Sequence, residues 1–155
     1  PQIIINAPLE RGMIEIGKPA KKSFGKTKIS GSGKLIFAGH SIIWEGCHIE
    51  VYGKLDIREN VLISVDVSIF CFNEIVMKAN SRIGFDSVMM DSDFHPIIDI
   101  LGKSYINPTQ SIKIGDYNWL GAEVMVLKGT KTPAHCTMLS KIKTPGITGL
   151  FGKCP

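Results

Sequence analysis

The segment MMDSDFHPI, residues 89–97, brings one imidazole and two carboxylates close together: Asp91, Asp93 and His95. A neutral imidazole within hydrogen-bond reach takes a proton from a hydroxyl as that oxygen forms a new bond, a gain of about 10²–10⁴ in rate. A nearby carboxylate can accept the other ring N–H, which fixes the tautomer and holds the imidazolium once formed. It can equally bind substrate hydroxyls or simply turn the chain. His95 is therefore the candidate base, Asp93 the first candidate to orient it and Asp91 the second. Pro96, by fixing its own φ, stiffens the exit from this segment.

The elements around the segment follow a strict step. Val51, Ile57, Ile63 and Ile69 fall six apart, and Ile49, Leu55, Val61 and Val67 form a second series two positions earlier. After CFNE the step shifts by two and resumes as Met77, Ile83 and Met89, with Ser81 and Ser87 in the companion slot. A third block, Ile114, Leu120 and Val126 with Asn118 and Val124, follows the break. On a helix a six-residue step turns about 600 degrees, so the apolar positions would wander around its surface. Apolar residues two apart, rich in Val and Ile, are strand alternation instead. Turn-forming residues follow the inward positions, as in Gly84-Phe85-Asp86 and Gly115-Asp116-Tyr117. A short strand and a corner every six residues describe an all-β triangular solenoid, whose stacked coils pair as parallel strands about 4.8 Å apart.

Four pieces result: an irregular N-terminal entry over 1–28, solenoid over 29–142, a long excursion over 92–111 within it, and a Gly/Pro-rich tail over 143–155. A long excursion without a repeat of its own is commonly functional, and this one begins with His95. At 155 residues the chain is one domain. No run of about 18 uncharged apolar residues occurs, so no membrane span is expected. Cys47, Cys71, Cys136 and Cys154 form no CxxC pair, which reads as reduced thiols in a cytoplasmic protein. The net charge is +4, and its surplus lies from Leu101 onward: seven lysines stand against Asp116 and Glu123. Those lysines are dispersed and accompanied by no arginine, which suits a small polyanionic ligand better than nucleic acid. His40 and His48 are eight apart and His95 stands alone, so no metal-ligand set is expected.

Two of these segments resemble the hexapeptide-repeat acyltransferases, the left-handed β-helix family, nearest to the bacterial O-acetyltransferases of sugars and polysaccharides. DSDFHPI is similar to the family's D-x-D-x-H-P-I segment, whose histidine is the catalytic base. IKIGDYNWLGAEVMVLKGTK is similar to its I-x-IGD-x-x-W-IGA coil. Arg58 and Lys78 replace the glycine common at their positions and are expected to point outward from corners. KTPAHCTMLSKIKTPG follows the family's terminal coil only loosely.

The resemblance implies a left-handed coil and transfer of acetyl from acetyl-CoA to a hydroxyl of a sugar or polysaccharide unit. It implies direct transfer in a ternary complex, with His95 as base and sites between the subunits of a homotrimer. Asp93 would orient His95 or, like Asp91, bind the acceptor. Trp119, next to the inward Leu120, should face outward and be covered by the cofactor, the acceptor or a neighbouring subunit. Gly121 and Ala122 leave room for a ligand at the backbone, where an amide is a natural oxyanion donor. Lys128, Lys131, Lys141 and Lys143 are the cations available to the coenzyme's phosphates. Two alternatives stay open: an N-acyltransferase acting on an amino sugar, and a silent solenoid used for assembly or carbohydrate binding.

Overall fold

The computed structural model describes residues 1–21, 24–102, 104–139 and 152–153. Short strands follow one another around a three-sided prism, and each pairs in parallel with its counterpart in the next coil. The first face stacks β1 (Gln2–Ile5), β4 (Lys34–Phe37), β7 (Lys54–Ile57), β10 (Glu74–Met77) and β13 (Ile112–Ile114). The second stacks β2 (Ile14–Lys18), β5 (Ser41–Trp44), β8 (Val61–Ile63), β11 (Arg82–Ile83), β14 (Trp119–Leu120) and β16 (Thr137–Met138). The third stacks β3 (Lys28–Ser30), β6 (His48–Val51), β9 (Ser68–Cys71), β12 (Val88–Met90) and β15 (Met125–Leu127). One antiparallel pair, between β16 and β17 (Gly152–Lys153), ends the second sheet. Among the described residues no helix is long and apolar enough to cross a membrane.

Both apolar series point inward. Val51, Ile57, Ile63 and Ile69 are wholly buried, as are their companions Ile49, Leu55 and Val67. Each such aliphatic side chain contributes about 1.5–3 kcal/mol when removed from water. The polar companions are buried because they serve the corners. Ser81 Oγ has both the Lys78 (2.8 Å) and Gly115 (2.9 Å) carbonyls within reach of its one hydrogen, and Asn118 Oδ1 accepts the Cys136 N–H at 2.7 Å. They thus satisfy backbone groups that the turning chain cannot pair in a ladder. Asn60, Asp66, Asn80 and Asp86 hold the corners at φ 54, 59, 61 and 55, a left-handed region that Asn and Asp enter most cheaply. Arg58 and Lys78 lie exposed at corners, as the pattern predicts.

Three readings need correction. Residues 1–28 are not an irregular entry: β1, β2 and β3 make a first coil, paired with β4, β5 and β6. The upper coils also take more than three hexads. Lys34 lies opposite Lys54 and Lys54 opposite Glu74, a 20-residue turn. The two extra residues sit at the corner from the third face to the first, as Tyr52-Gly53 and Phe72-Asn73. Coils approach closely there, and a Cβ on Gly53 would stand 2.1 Å from the Asn73 carbonyl oxygen. Finally, Cys47 and Cys71 are free thiols, but Cys136 is disulfide-bonded.

Candidate active site

The excursion leaves through this same widened corner. It folds on itself as a finger: Ile98 and Tyr105 form an antiparallel bridge, Asp99 N–H donates to the Ser104 carbonyl (2.9 Å) and Ile106 N–H to that of Ile97 (2.9 Å). Gln110 N–H donates to Asp91 O at 3.1 Å, closing the finger at its base. Phe94 wedges into the aromatic row along the corner, with ring centroids 5.2 Å from Phe70 and 5.4 Å from Phe72. Its φ of 64 is unusual for a bulky residue and turns the chain immediately before His95.

His95 is exposed and lines a depression of about 350 Å³ with Ser92, Phe94, Pro96, Tyr105, Asn107, Pro108 and Thr109. Its ring makes no hydrogen bond among the described residues, so both nitrogens remain available to a ligand. Asp93 stands close by but is engaged elsewhere. Its carboxylate accepts the Lys128 ammonium and the Asn107 side-chain amide, the latter at 3.0 Å. The Lys128 ammonium, then the Asn107 amide, hold this carboxyl below the ordinary range.

Asp91 is placed differently and leaves the site. It is wholly buried, and its two oxygens accept the N–H groups of Phe72 (2.7 Å) and Asn73 (2.8 Å). One coil earlier the equivalent donors, Tyr52 and Gly53, both use the backbone carbonyl of Cys71. Where the finger departs, the Asp91 carbonyl turns to Gln110 instead, and the side-chain carboxylate takes over its place in the ladder. No face of Asp91 remains for an acceptor hydroxyl. A signal was present in the sequence: at the 20-residue step Asp91 falls in line with the inward Val51 and Cys71.

Trp119 faces outward from β14, 54% exposed, between Arg82 and Thr137 in the ladder. The Gly121 N–H is consumed by the Met138 carbonyl at 2.7 Å, which removes it as an oxyanion donor. The Ala122 N–H has no partner among the described residues and stays open to a ligand. Trp119 lies on the second face and Ala122 at the following corner, whereas His95 stands at the corner between the third and first faces. One chain therefore does not gather them around one cleft. Lys128, expected at a phosphate, is instead ion-paired with Asp93 and only 19% exposed in its side chain. Lys141 and Lys143 lie outside the described residues. Lys113 and Lys131, bridged across neighbouring coils, line a second depression of about 330 Å³ with Gln110, Ser111 and Gly129. Among the described residues no three His, Cys, Asp or Glu side chains converge as a metal set would.

No family model matches the chain. Over 64 residues it is 38% identical to a polysialic acid O-acetyltransferase of Escherichia coli O1:K1 / APEC, covering 37% of this chain and 21% of that protein. The chain thus spans about a fifth of the length of the curated relative it matches. Among solved structures, the polySia-specific acetyltransferase NeuO superposes with a TM-score of 0.61 at 16% identity, over 90% of this chain and 77% of that one. The polysialic acid O-acetyltransferase OatWY aligns over 90% and 85% at 17% identity, but its TM-score of 0.31 is too low to carry a comparison. The chain is similar to hexapeptide-repeat sugar O-acetyltransferases, and its fold, shared with NeuO, is the left-handed parallel β-helix.

Proposed function

We propose that the chain is an acetyl-CoA-dependent O-acetyltransferase acting on a hydroxyl of a sugar or polysaccharide unit. The observation that carries this reading is the His95 ring, without a hydrogen-bond partner among the described residues, in a depression at the foot of a braced finger. His95 takes the acceptor proton as the hydroxyl oxygen attacks the thioester carbonyl. The tetrahedral oxyanion is met by a backbone amide, for which Ala122 N–H is the available candidate. Collapse breaks the C–S bond, and the imidazolium returns its proton to the leaving thiolate. Lys131 is a cation available to the donor's phosphates in place of Lys128, with Lys113 beside it at 3.8 Å from Glu74. Acetyl-CoA supply puts this chemistry in the cytoplasm.

The reading includes a homotrimer with sites between subunits. Two features support it. Trp119 and Ala122 lie away from the His95 corner of their own chain, so a second chain is needed to supply them. The finger also exposes Ile97, Ile98, Ile100, Leu101, Tyr105 and Ile106, at 46–95% of their surface. Apolar surface of that extent in one loop calls for a cover.

The test is thiol release from acetyl-CoA with hydroxyl sugars, amino sugars and polysialic acid, the substrate named for the relative. His95→Ala should lower turnover by at least about 10²-fold while the assembly stays intact. An unchanged rate in that variant refutes the assignment of the base. Turnover confined to amino sugars would favour N-acyl transfer, and no binding of CoA at millimolar concentration would favour a silent solenoid.

A further inference from the structure

His95 owes its position to two residues outside its own segment, Asn107 and Lys128. The Asn107 side chain makes three hydrogen bonds, all to the residues around the histidine. One amide hydrogen goes to the Asp93 carboxylate (3.0 Å) and the other to the His95 carbonyl (2.8 Å), while Oδ1 accepts the Ile97 N–H. The bonds fall two residues before His95, on it and two residues after it. A single side chain on the returning strand of the finger thereby fixes the outgoing strand on both sides of the base.

Lys128 then ties the finger to the solenoid. It follows β15 in the coil below, so it belongs to the rigid body and not to the finger. Its ammonium has three hydrogens and meets three acceptors: the Asp93 carboxylate on the outgoing strand, and the carbonyls of Asn107 (3.4 Å) and Pro108 (3.3 Å) on the returning one. The Lys128 side chain is mostly covered, so its bonds are shielded from water more than those of a surface pair.

From this geometry we infer that Asn107 and Lys128 are positioning residues for the proposed acetyl transfer, acting through the backbone that carries His95. The inference rests on His95 being the base. A base on a bare finger samples many orientations, and a misplacement near 1 Å costs on the order of 10²-fold in rate. Asn107 lines the depression, but its side-chain hydrogen bonds are spent on the finger, and Lys128 is not part of that lining, so substrate affinity should change little.

The experiment compares Asn107→Ala, Asn107→Asp, Lys128→Met and Lys128→Arg in the full chain with acetyl-CoA and whichever acceptor the wild type accepts. In Asn107→Ala and Lys128→Met, kcat should fall roughly 10- to 100-fold, while both KM values stay within about twofold and the melting temperature is kept. Asn107→Asp should fall at least as far as Asn107→Ala, because it sets a second carboxylate against Asp93 and the His95 carbonyl. Lys128→Arg, which keeps the charge and the donors, should recover most of the loss. Unchanged kcat in Asn107→Ala overturns the inference, as does a loss that only follows KM or thermal stability. A wild-type chain that releases no thiol with any acceptor defeats the proposed function, and this inference falls with it.

Discussion

Replacing Asp91 separates a wall residue from a substrate ligand. Its carboxylate closes two backbone N–H groups at 2.7 and 2.8 Å in the place where the ladder carbonyl has turned away. Hydrogen bonds to a charged group are worth about 1.5–3 kcal/mol each, so the pair could contribute 3–6. Phe72 and Asn73 are exposed, and water will reach their amides once the side chain is gone. We therefore expect Asp91→Ala to cost about 3 kcal/mol, the low end of that range. Asp91→Asn keeps one acceptor but sets a donor against the other N–H, so it should cost about 1.5 kcal/mol or more. Total stabilities of about 5–15 kcal/mol make such a loss easy to see. Urea unfolding at one fixed protein concentration measures it, since assembly would otherwise shift the midpoint. A loss below about 0.5 kcal/mol, well under one charged hydrogen bond, would refute the reasoning. So would full stability combined with a raised acceptor KM, because that result would return Asp91 to the substrate.

Other expectations follow from the titrating groups. Burial pushes the thiol of Cys47 up to about 11 and that of Cys71 up to about 12, the latter helped by Asp91. At pH 8.5 neither should take up maleimide in the folded protein, and both should do so in denaturant, as peptide mass mapping would show. Because these folded values lie above the unfolded one, near 8.5, their contribution to stability is complete below about pH 8.5 and declines as pH rises toward about 11. Stability that stays flat across that alkaline window would contradict the burial of both thiols. Asp93 behaves oppositely: its depressed value means its contribution is whole above about pH 4 and is lost as pH falls through its own lower value. Amide exchange over residues 93–107, corrected for intrinsic rate, should rise in acid before that of β7 or β10. Equal protection of finger and coils throughout would show that Asp93 does not hold the finger.

The regular coils were legible because their physics is local. A prism of short strands needs an aliphatic residue at every sixth position and a companion two earlier, and no helix tolerates that step. The break at Asp91 was legible for the same reason, since a chain that must leave the ladder cannot keep the period. The first coil was not. At Gly17, φ 75, the pairing of β2 slips by one residue, and the slip erases the alternation that would have revealed a strand. Asp91 and Asp93 look alike in a motif, yet Asp91 still takes the last inward place beside the ladder, while Asp93 lies beyond the point where the chain leaves it. The 20-residue step aligns Asp91 with the inward Val51 and Cys71, but which amides its carboxylate serves shows only when the coils are stacked.

The sequence by itself determined the solenoid, its interruption and the histidine at the start of the finger, because each is written in spacing along one stretch of chain. Only the tertiary structure decided how that histidine is held. Lys128 lies 35 residues from Asp93, and Asn107 reaches it across a finger whose bridge no periodicity announces. Hydrogen bonds between distant segments leave no period in a sequence, since they depend on where the coils bring the two chains together.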